Sequence, residues 1–305
     1  MGDIYKVENE IYQGDNIRID LFLKKNLLSL LSRAKIQEII REEKIKVNGK
    51  SIKTNYVMKS GDKYSCDYIH KNPDELVPEK VDFEIVYEDE WIIIVNKPRG
   101  LVVHPASSVK DPTLVHGLLF KKIPLAPVSK NRPGIVHRID RYTSGIVIIV
   151  KTVEAYDKFT LMFKNKKILK KYRALCYNNF KYEKGIIDMP IGRSQRDRKK
   201  MTVRNDGKQS ITSYEVIKNY GGYSFVEVDL KTGRTHQIRV HLARCGHPVV
   251  GDGVYGPQKN DFSLTGQFLH AGYIGFEHPF LNKWMSFSVP LPEELENILR
   301  GLGND

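Results

Sequence analysis

The stretch that decides the fold is GIVHRIDRYTSGIVIIV, residues 134–150. Its last five residues, Ile146–Val150, are all apolar, which is typical of a short strand buried on both faces. The polar segment before them holds one carboxylate, Asp140, between Arg138 and Arg141. Neighbouring cations favour the ionised form of a carboxylate. The sequence therefore predicts a buried strand preceded by a loop that presents an ionised aspartate.

Taken alone, this loop leaves three interpretations of Asp140 open. The side chain could cap a turn or pair with Arg141, which would be a purely structural role. It could belong to a kinase-like catalytic loop, but one residue separates Arg138 from Asp140 and no Asp-Phe-Gly segment follows. It could also be a nucleophile in a site that binds a polyanion.

Composition limits the class of protein. The 305 residues suggest about two domains, and 41% hydrophobic residues exclude global disorder. No apolar run approaches the ~20 residues of a membrane span, and no secretion signal opens the chain, so a cytoplasmic protein without membrane contact is expected. The three cysteines lie far apart, which argues against disulfides or a cysteine zinc site. The net charge of +13 fits either a nucleic-acid partner or simple solubility.

Residues 15–70 are predicted to form a compact basic module. Ser32 can cap a helix over 33–43, because its side-chain oxygen can accept a backbone N–H. A hairpin over 45–52 turns at Asn48-Gly49, and a strand follows at 63–68. The polar segment 71–80, with two prolines, is predicted to be a linker.

The remaining residues, 81–305, are predicted to form a catalytic domain dominated by strands. The expected fold class is α+β, with a mixed, mainly antiparallel sheet preceded by the small α+β module. The predicted elements are a hairpin of 83–87 and 91–95, strands at 134–136, 145–150, 171–177, 213–217 and 223–230, and helices at 152–166 and 235–244, the last ended by Gly246 in a left-handed conformation.

The helix–hairpin–strand order of residues 15–70 resembles the small αL-type RNA-binding domain named after a small-subunit ribosomal protein. The resemblance implies RNA contacts for the basic side chains of the helix, which are Arg33, Lys35, Arg41 and Lys44. An ordinary α+β module with a solvated basic face remains the alternative.

Five ordered segments of the larger domain resemble RluA-type pseudouridine synthases. They are 96–105 (NKPRGLVVHP), 134–145 (GIVHRIDRYTSG), 170–175 (KKYRAL), 233–242 (GRTHQIRVHL) and 246–252 (GHPVVGD). The family usually has Leu where this chain has Ile139, a conservative difference. With the N-terminal module, the layout resembles the RluD and RluC branches, which act on large-subunit ribosomal RNA.

The resemblance implies an isomerisation of uridine, in which the base leaves the ribose at N1 and returns through C5 without an external cofactor. Asp140 matches the family nucleophile, and whether it attacks the ribose or first assists departure of the base stays open. Tyr172 matches the active-site tyrosine, and Arg239 matches the basic residue expected to hold the Asp140 carboxylate bidentately. Arg138 matches the residue that fills the space of a flipped base.

Other assignments are weaker or excluded. Arg234 is either a phosphate contact or a solvated loop residue. His236 and His241 are five residues apart and lack an adjacent Glu, so no metal site is expected. The expected partner is structured ribosomal RNA, with transfer RNA as the alternative substrate, and a monomer is expected. The rival from another class is a catalytically silent RNA-binding factor, which would have no need of Asp140, Tyr172 and Arg239 together.

Overall fold

The computed structural model describes residues 3–29, 31–70, 76–106, 109, 111–197, 200–258 and 262–303. The chain divides into two units, Met1–Glu75 and Leu76–Asp305. Each unit has its own apolar core. Residues 71–75 of the predicted linker lie outside the described residues, and the domain bounds 15–70, 71–80 and 81–305 stay a prediction.

Unit 1 combines two helices with a small sheet. Its elements are β1 (Asp3–Ile11), β2 (Ile17–Arg18), α1 (Ile19–Asn26), α2 (Arg33–Arg41), β3 (Ile45–Val47), β4 (Lys50–Ser51), β5 (Val57–Met58) and β6 (Lys63–His70). The sheet has the order β1-β6-β3-β4, and β2 pairs with β5. Apolar residues of both helices and of β3, β5 and β6 form one core, which includes Leu23, Ile36, Ile45, Met58 and Cys66.

In unit 1, the helix α2 and the hairpin β3–β4 are present where the sequence predicts them. The Ser32 side chain accepts a hydrogen bond from the Lys35 amide at 3.2 Å, and α2 follows it. The hairpin β3–β4 turns at Asn48 and Gly49, both with positive φ, as the Asn-Gly pair predicts. The helix ends at Arg41, two residues before the predicted end. Neither β1 nor α1 was predicted.

Unit 2 is built on a nine-stranded sheet. Its elements are β7 (Glu84–Glu88), β8 (Ile92–Lys97), α3 (Leu114–Phe120), β9 (Ser144–Val150), α4 (Val153–Lys164), β10 (Leu169–Tyr177), β11 (Lys184–Asp188), β12 (Ile191–Arg193), β13 (Met201–Val203), β14 (Ile211–Tyr220), β15 (Tyr223–Leu230), α5 (Gln237–Arg244), β16 (Leu269–His278), β17 (Lys283–Ser288) and α6 (Glu293–Leu302). The sheet order is β11-β14-β15-β10-β16-β9-β8-β7, with β17 on β16. The strands β12 and β13 form a separate hairpin.

The predicted fold class is confirmed. Among the pairings of the described strands, β9 with β16 is the parallel one and the others are antiparallel, so the sheet is mixed and mainly antiparallel. Helices of the described ranges are all too short or too polar to cross a membrane.

The strand β9 is the buried strand that the sequence predicts. All seven of its residues are buried, between β8 and β16. Val147 and Ile149 belong to one apolar core, whereas Ile146, Ile148 and Val150 belong to another. Successive side chains of a strand point to opposite faces, so β9 joins the two cores across the sheet.

A glycine fixes the start of β9. Gly145 has φ +108°, and a Cβ on it would collide with the backbone carbonyl of Ala271 in β16. The parallel register pairs these two residues directly. A glycine is required there because the two backbones approach too closely for a side chain.

Three predicted elements of unit 2 need correction. The strand predicted at 134–136 is absent: Ile135 makes a single bridge to Ile149, and Gly134, at φ +71°, lies in a turn. The helix α4 is shorter than the predicted 152–166 because Thr152 is its N-cap. The helix predicted from residue 235 begins at Gln237, since His236 has φ +55° and cannot be helical.

The most constrained charge of unit 1 is Asp20, whose side chain is fully buried. Its carboxylate accepts hydrogen bonds from Arg18, Arg33 and Gln37 at 2.9–3.1 Å. Burial alone would raise the pKa of Asp20, but these hydrogen bonds outweigh it and lower the pKa to about 2. The carboxylate therefore ties the start of α1 to the start of α2.

We expect Asp20→Asn to destabilise unit 1 by about 2 kcal/mol at neutral pH, since the pKa of the carboxyl is about two units lower in the folded state. Hydrogen exchange of the full chain should show about 30-fold less protection over 19–41. The stabilisation is complete above about pH 4 and is lost as the pH falls toward 2, so the difference between the two proteins should shrink over that interval.

Glu38→Gln is the matched control, because it removes the exposed Lys35–Glu38 ion pair of α2, in the same unit. It should change protection less than about twofold. Equal protection of wild type and Asp20→Asn at pH 7 would contradict the role given to Asp20.

Candidate active site

Asp140 lies in the loop before β9, and two basic side chains hold the backbone after it. The Lys97 ammonium, fully buried, donates to the carbonyl of Arg141 at 3.1 Å, and Arg99 donates to the carbonyl of Tyr142 at 2.8 Å. Both residues belong to the 96–105 segment, and sequence reasoning gave them no role. Burial lowers the pKa of Lys97 to about 7, against the effect of the Asp140 charge. The loop is thus fixed through its own carbonyl groups.

The two carboxylate oxygens of Asp140 have different surroundings. Oδ2 accepts a hydrogen bond from Nη1 of Arg239 at 2.9 Å. Oδ1 has no hydrogen bond within the described ranges, and Nε2 of His236 lies 3.8 Å from it. The side chain is 17% exposed. One oxygen is therefore anchored, and the other is free at the surface of the pocket.

Arg239 binds Asp140 as predicted, but with a different geometry. Its bidentate partner is Asp252, which accepts from Nε at 2.6 Å and from Nη2 at 2.8 Å. Asp252 occupies the Nε–Nη2 edge of the guanidinium, and Asp140 is contacted through Nη1 alone. Burial opposes the charge, but the hydrogen bonds and charges of the two carboxylates outweigh it and raise the pKa of Arg239.

Asp252 is the site residue that sequence reasoning missed. It is fully buried, and its Oδ1 also accepts from the amides of Val254 and Tyr255 at 3.0 and 3.2 Å. The one available signal was its place at the end of the 246–252 segment. The sequence alone does not show which buried cation an aspartate faces.

Tyr172 lines the same pocket from β10, with its ring in the apolar core and only 8% of the residue exposed. Burial raises the pKa of Tyr172, and the charge of Asp140 adds to the effect. The phenol is therefore protonated at neutral pH. Its hydroxyl makes no hydrogen bond within the described part of the chain, which leaves it available to a ligand.

The pocket around Asp140 has a volume of about 550 Å³ and a strongly cationic lining. Seven of its lining residues are cationic and only Asp140 is acidic. The cations are Arg138, Lys164, Lys166, Lys170, Lys231, Arg234 and Arg239. The pocket thus brings together every predicted site residue of the larger unit, and its charge suits a polyanion.

Arg138 is exposed at the pocket, and its guanidinium contacts a histidine side chain. Its Nη1 lies 3.3 Å from Nε2 of His104, whose Nδ1 lies 2.9 Å from the carbonyl of Pro105. A carbonyl only accepts, so the ring proton of His104 is on Nδ1, and Nε2 accepts from Arg138. Burial lowers the pKa of His104, which keeps this acceptor unprotonated.

A second, smaller basic cavity continues from the pocket past Arg234. The segment 233–235 lines both, and the second cavity is also lined by Arg193, Arg204 and Lys208. The Arg204 guanidinium pairs with Asp206. The segment 193–200 (RSQRDRKK) holds five basic residues, of which Arg198 and Lys199 lie outside the described residues. The basic lining thus extends beyond the space around Asp140.

The four predicted RNA contacts of unit 1 differ in their availability. Arg33 is bound to buried Asp20, so part of its guanidinium has a structural role. Lys35 forms an exposed ion pair with Glu38 at 2.8 Å. Arg41 and Lys44 are exposed and have no ion pair within the described ranges. These last two are the better candidates for contacts with an external anion.

The matches to known proteins agree with this geometry. Residues 91–244 match the model of the RNA pseudouridylate synthase family, and residues 17–63 match the S4 domain. An uncharacterised RNA pseudouridine synthase of Bacillus subtilis is 40% identical over 93% of this chain and 94% of its own length. The ribosomal large subunit pseudouridine synthase D of Buchnera aphidicola is 38% identical over 92% of this chain and 93% of its own.

The structure of human RNA pseudouridylate synthase domain containing 1 has the same fold. The match covers 73% of this chain and 96% of the human chain, with a TM-score of 0.57 and 24% sequence identity. The family match and the identity with full-length relatives establish the membership. The chain belongs to the RNA pseudouridylate synthase family, in its RluA-type branch with an N-terminal S4 domain, and is an isomerase that converts uridine to pseudouridine.

Proposed function

We propose that this enzyme isomerises specific uridines of large-subunit ribosomal RNA, with Asp140 as the nucleophile and with the target base flipped out of its stack. The observation that carries the proposal is the Asp140 carboxylate, which has one oxygen anchored by Arg239 and the other free in a cationic pocket. Such a pocket attracts a polyanionic substrate and holds a nucleophile in a fixed position.

The chemistry needs a carboxylate beside the glycosidic bond. The N1–C1′ bond breaks, and Oδ1 of Asp140 either bonds to C1′ or stabilises the positive charge there. The base then turns and C1′ bonds to C5; where a C1′–Oδ1 bond has formed, it breaks in this step and releases the Asp140 carboxylate. The C5 proton then leaves and N1 gains a proton. The intermediate divides one difficult step into two. Substrate and product are isomers, so the reaction has no net need of an oxidant, a reductant or a group donor, and the proposal includes no external cofactor.

Tyr172 is proposed to hold the detached uracil. Its ring can stack on the base, and its protonated hydroxyl can donate a hydrogen bond or relay a proton at C5. The raised pKa of Tyr172 supports relay by a neutral phenol rather than abstraction by a phenolate. Arg239 supports the same step, because its hydrogen bond fixes the rotamer of the Asp140 carboxylate.

Arg138 is proposed to fill the gap that the flipped uridine leaves. The target lies within folded RNA, and unstacking costs a few kcal/mol. The Arg138 guanidinium is exposed at the pocket and oriented by His104, so it can stack on neighbouring bases and hydrogen-bond at once. A group that is already positioned loses less conformational entropy when it inserts.

Basic side chains of both units are proposed to bind phosphates of the same RNA. They include Arg234 between the two cavities, and Arg41 and Lys44 of the S4 domain, with smaller contributions from Arg33 and Lys35 because these are paired. A ribosomal substrate is supported by the relatives whose names specify the large ribosomal subunit. Action as a monomer in the cytoplasm completes the proposal.

Two other functions fit less well. A silent RNA-binding factor would not need Asp140, Tyr172 and Arg239 around one pocket. Transfer RNA as the substrate is the closer alternative, because the pocket itself does not distinguish one RNA from another.

Asp140→Asn should reduce the single-turnover rate on unmodified ribosomal RNA at least about 1000-fold, because the amide keeps the shape but is not a nucleophile. The RNA dissociation constant should change less than about threefold, since phosphate contacts dominate affinity. In cells that carry only this variant, pseudouridine mapping should show signals missing from large-subunit ribosomal RNA.

Asp111→Asn is the matched control. Asp111 is an exposed carboxylate that pairs with Arg141 outside the pocket, and its loss should leave the rate within about twofold. If the rate of Asp140→Asn is within tenfold of the wild-type rate, Asp140 is not the nucleophile. If the pseudouridine signal is lost only in transfer RNA, ribosomal RNA is not the substrate.

Arg138→Ala should lower the single-turnover rate far more for a uridine in a structured loop than for a uridine in a flexible single strand, which is already unstacked. Arg234→Ala serves as the comparison, because loss of a phosphate contact should weaken binding to both RNAs equally and reduce the salt dependence. Single-turnover rates and affinities for both RNAs at several salt concentrations separate the two behaviours. Equal defects of Arg138→Ala on both RNAs would make it a phosphate contact instead.

A further inference from the structure

His236 lies beside Asp140 in a strained backbone conformation. It is the residue before α5, with φ +55° and ψ 20°, a left-handed region that residues other than glycine adopt uncommonly, with asparagine, aspartate and histidine the most frequent of them. Its imidazole lines the pocket. Strain of this kind persists when surrounding contacts enforce it, and it often marks a functional position.

Tyr255 determines which ring nitrogen of His236 carries the proton. The Tyr255 oxygen accepts a hydrogen bond from the Met201 amide at 2.8 Å and lies 2.8 Å from Nδ1 of His236. The hydroxyl proton has no other acceptor within the described ranges, so it is donated to Nδ1. The neutral ring then carries its own proton on Nε2.

That Nε2–H group faces the free oxygen of the proposed nucleophile, with 3.8 Å between Nε2 and Oδ1 of Asp140. Burial lowers the pKa of His236, although the charge of Asp140 opposes this effect. The imidazole is therefore neutral at neutral pH. At 3.8 Å the Nε2–H group is beyond hydrogen-bond distance of Oδ1, and a movement of less than about 1 Å when the substrate binds would close the gap. An imidazolium would instead form an ion pair with the carboxylate and reduce its reactivity.

One short segment anchors both partners of Asp140. Asp252 binds Arg239 through two hydrogen bonds, and Tyr255, three residues later, binds His236. The Tyr255 ring also lies 5.1 Å from the Arg239 guanidinium, and its amide donates to Asp252. The segment 252–255 therefore supports the contacts of both carboxylate oxygens.

We propose that His236 is a positioning residue: kept as the neutral Nε2–H tautomer by Tyr255, it orients the free oxygen of Asp140 toward the ribose. The proposal rests on the proposed role of Asp140 as the nucleophile. The charged and titratable groups that face His236 are Asp140, Arg239, Asp252, Arg138 and the Tyr255 hydroxyl. Of the two carboxylates, Asp140 is the one within 4.0 Å of the imidazole in the described ranges, so Asp140 is the group through which His236 acts.

The test compares His236→Asn with Tyr255→Phe in the full-length enzyme. Asparagine tolerates the left-handed conformation, so the substitution removes the imidazole without adding backbone strain. We expect the single-turnover rate of His236→Asn at saturating enzyme to fall about 10- to 100-fold, because misplaced reacting atoms cost rates of that order. The RNA dissociation constant should be unchanged.

The pH profile distinguishes this role from simple packing. In the wild type, the rate should fall as the pH drops below 6.5 and His236 becomes protonated, since its pKa is below the ordinary value. Tyr255→Phe removes the donor to Nδ1, which destabilises the neutral ring and raises its pKa, so this fall should begin at a higher pH. In His236→Asn the imidazole-dependent fall should disappear.

His247→Asn is the control, since His247 stacks on Phe180 outside the pocket, and its rate should match that of the wild type. A rate of His236→Asn within threefold of wild type, or equal losses at every pH in both variants, would overturn the proposal. Asp140→Asn measured alongside separates the two hypotheses: an inactive Asp140→Asn with an unaffected His236→Asn rejects only the role of His236, whereas an active Asp140→Asn rejects both.

Discussion

The Arg239 guanidinium between two carboxylates is the interaction on which the site depends. A buried cation is costly unless its hydrogen bonds are satisfied, and Asp252 satisfies two of them in a bidentate contact. That contact fixes the plane of the guanidinium and therefore the position of Nη1, which donates a hydrogen bond to Asp140. Helix α5, the loop after it and the loop before β9 thereby meet at one group.

The sheet holds the loop that brings Asp140 to Arg239. β9 has core residues on both faces, and the loop before it is bound through its carbonyl groups by Lys97 and Arg99. A side chain on packed strands is held more precisely than one on a mobile loop. Asp140 lies in a loop, but the backbone that leads from it into β9 is fixed through the carbonyls of Arg141 and Tyr142.

The sequence predicted what local pattern decides. The apolar run of β9, the Ser32 cap and the Asn48-Gly49 turn each follow from neighbouring residues, and all three are present. The grouping of Asp140, Tyr172 and Arg239 came from the family resemblance, and the pocket brings them together.

What the sequence could not predict depends on tertiary contacts. Arg239 and Asp252 are separated by a helix end and a loop, so their bidentate pairing is not visible in the chain. Arg33 looked free on its helix, but a buried carboxylate thirteen residues earlier binds it. The strand β1 contains a bulge between Val7 and Glu10, which interrupts the alternation that would have marked it.

The close pairing of β9 with β16 at Gly145 has a cost in conformational entropy. Only a residue without a Cβ fits against Ala271, so the closest contact between β9 and β16 uses the most flexible residue type. Glycine loses more backbone entropy on folding than alanine, by about 0.5–1 kcal/mol. The chain therefore loses slightly more conformational entropy when it folds, and in return the backbones of β9 and β16 can pair closely at the start of the strand that follows the Asp140 loop.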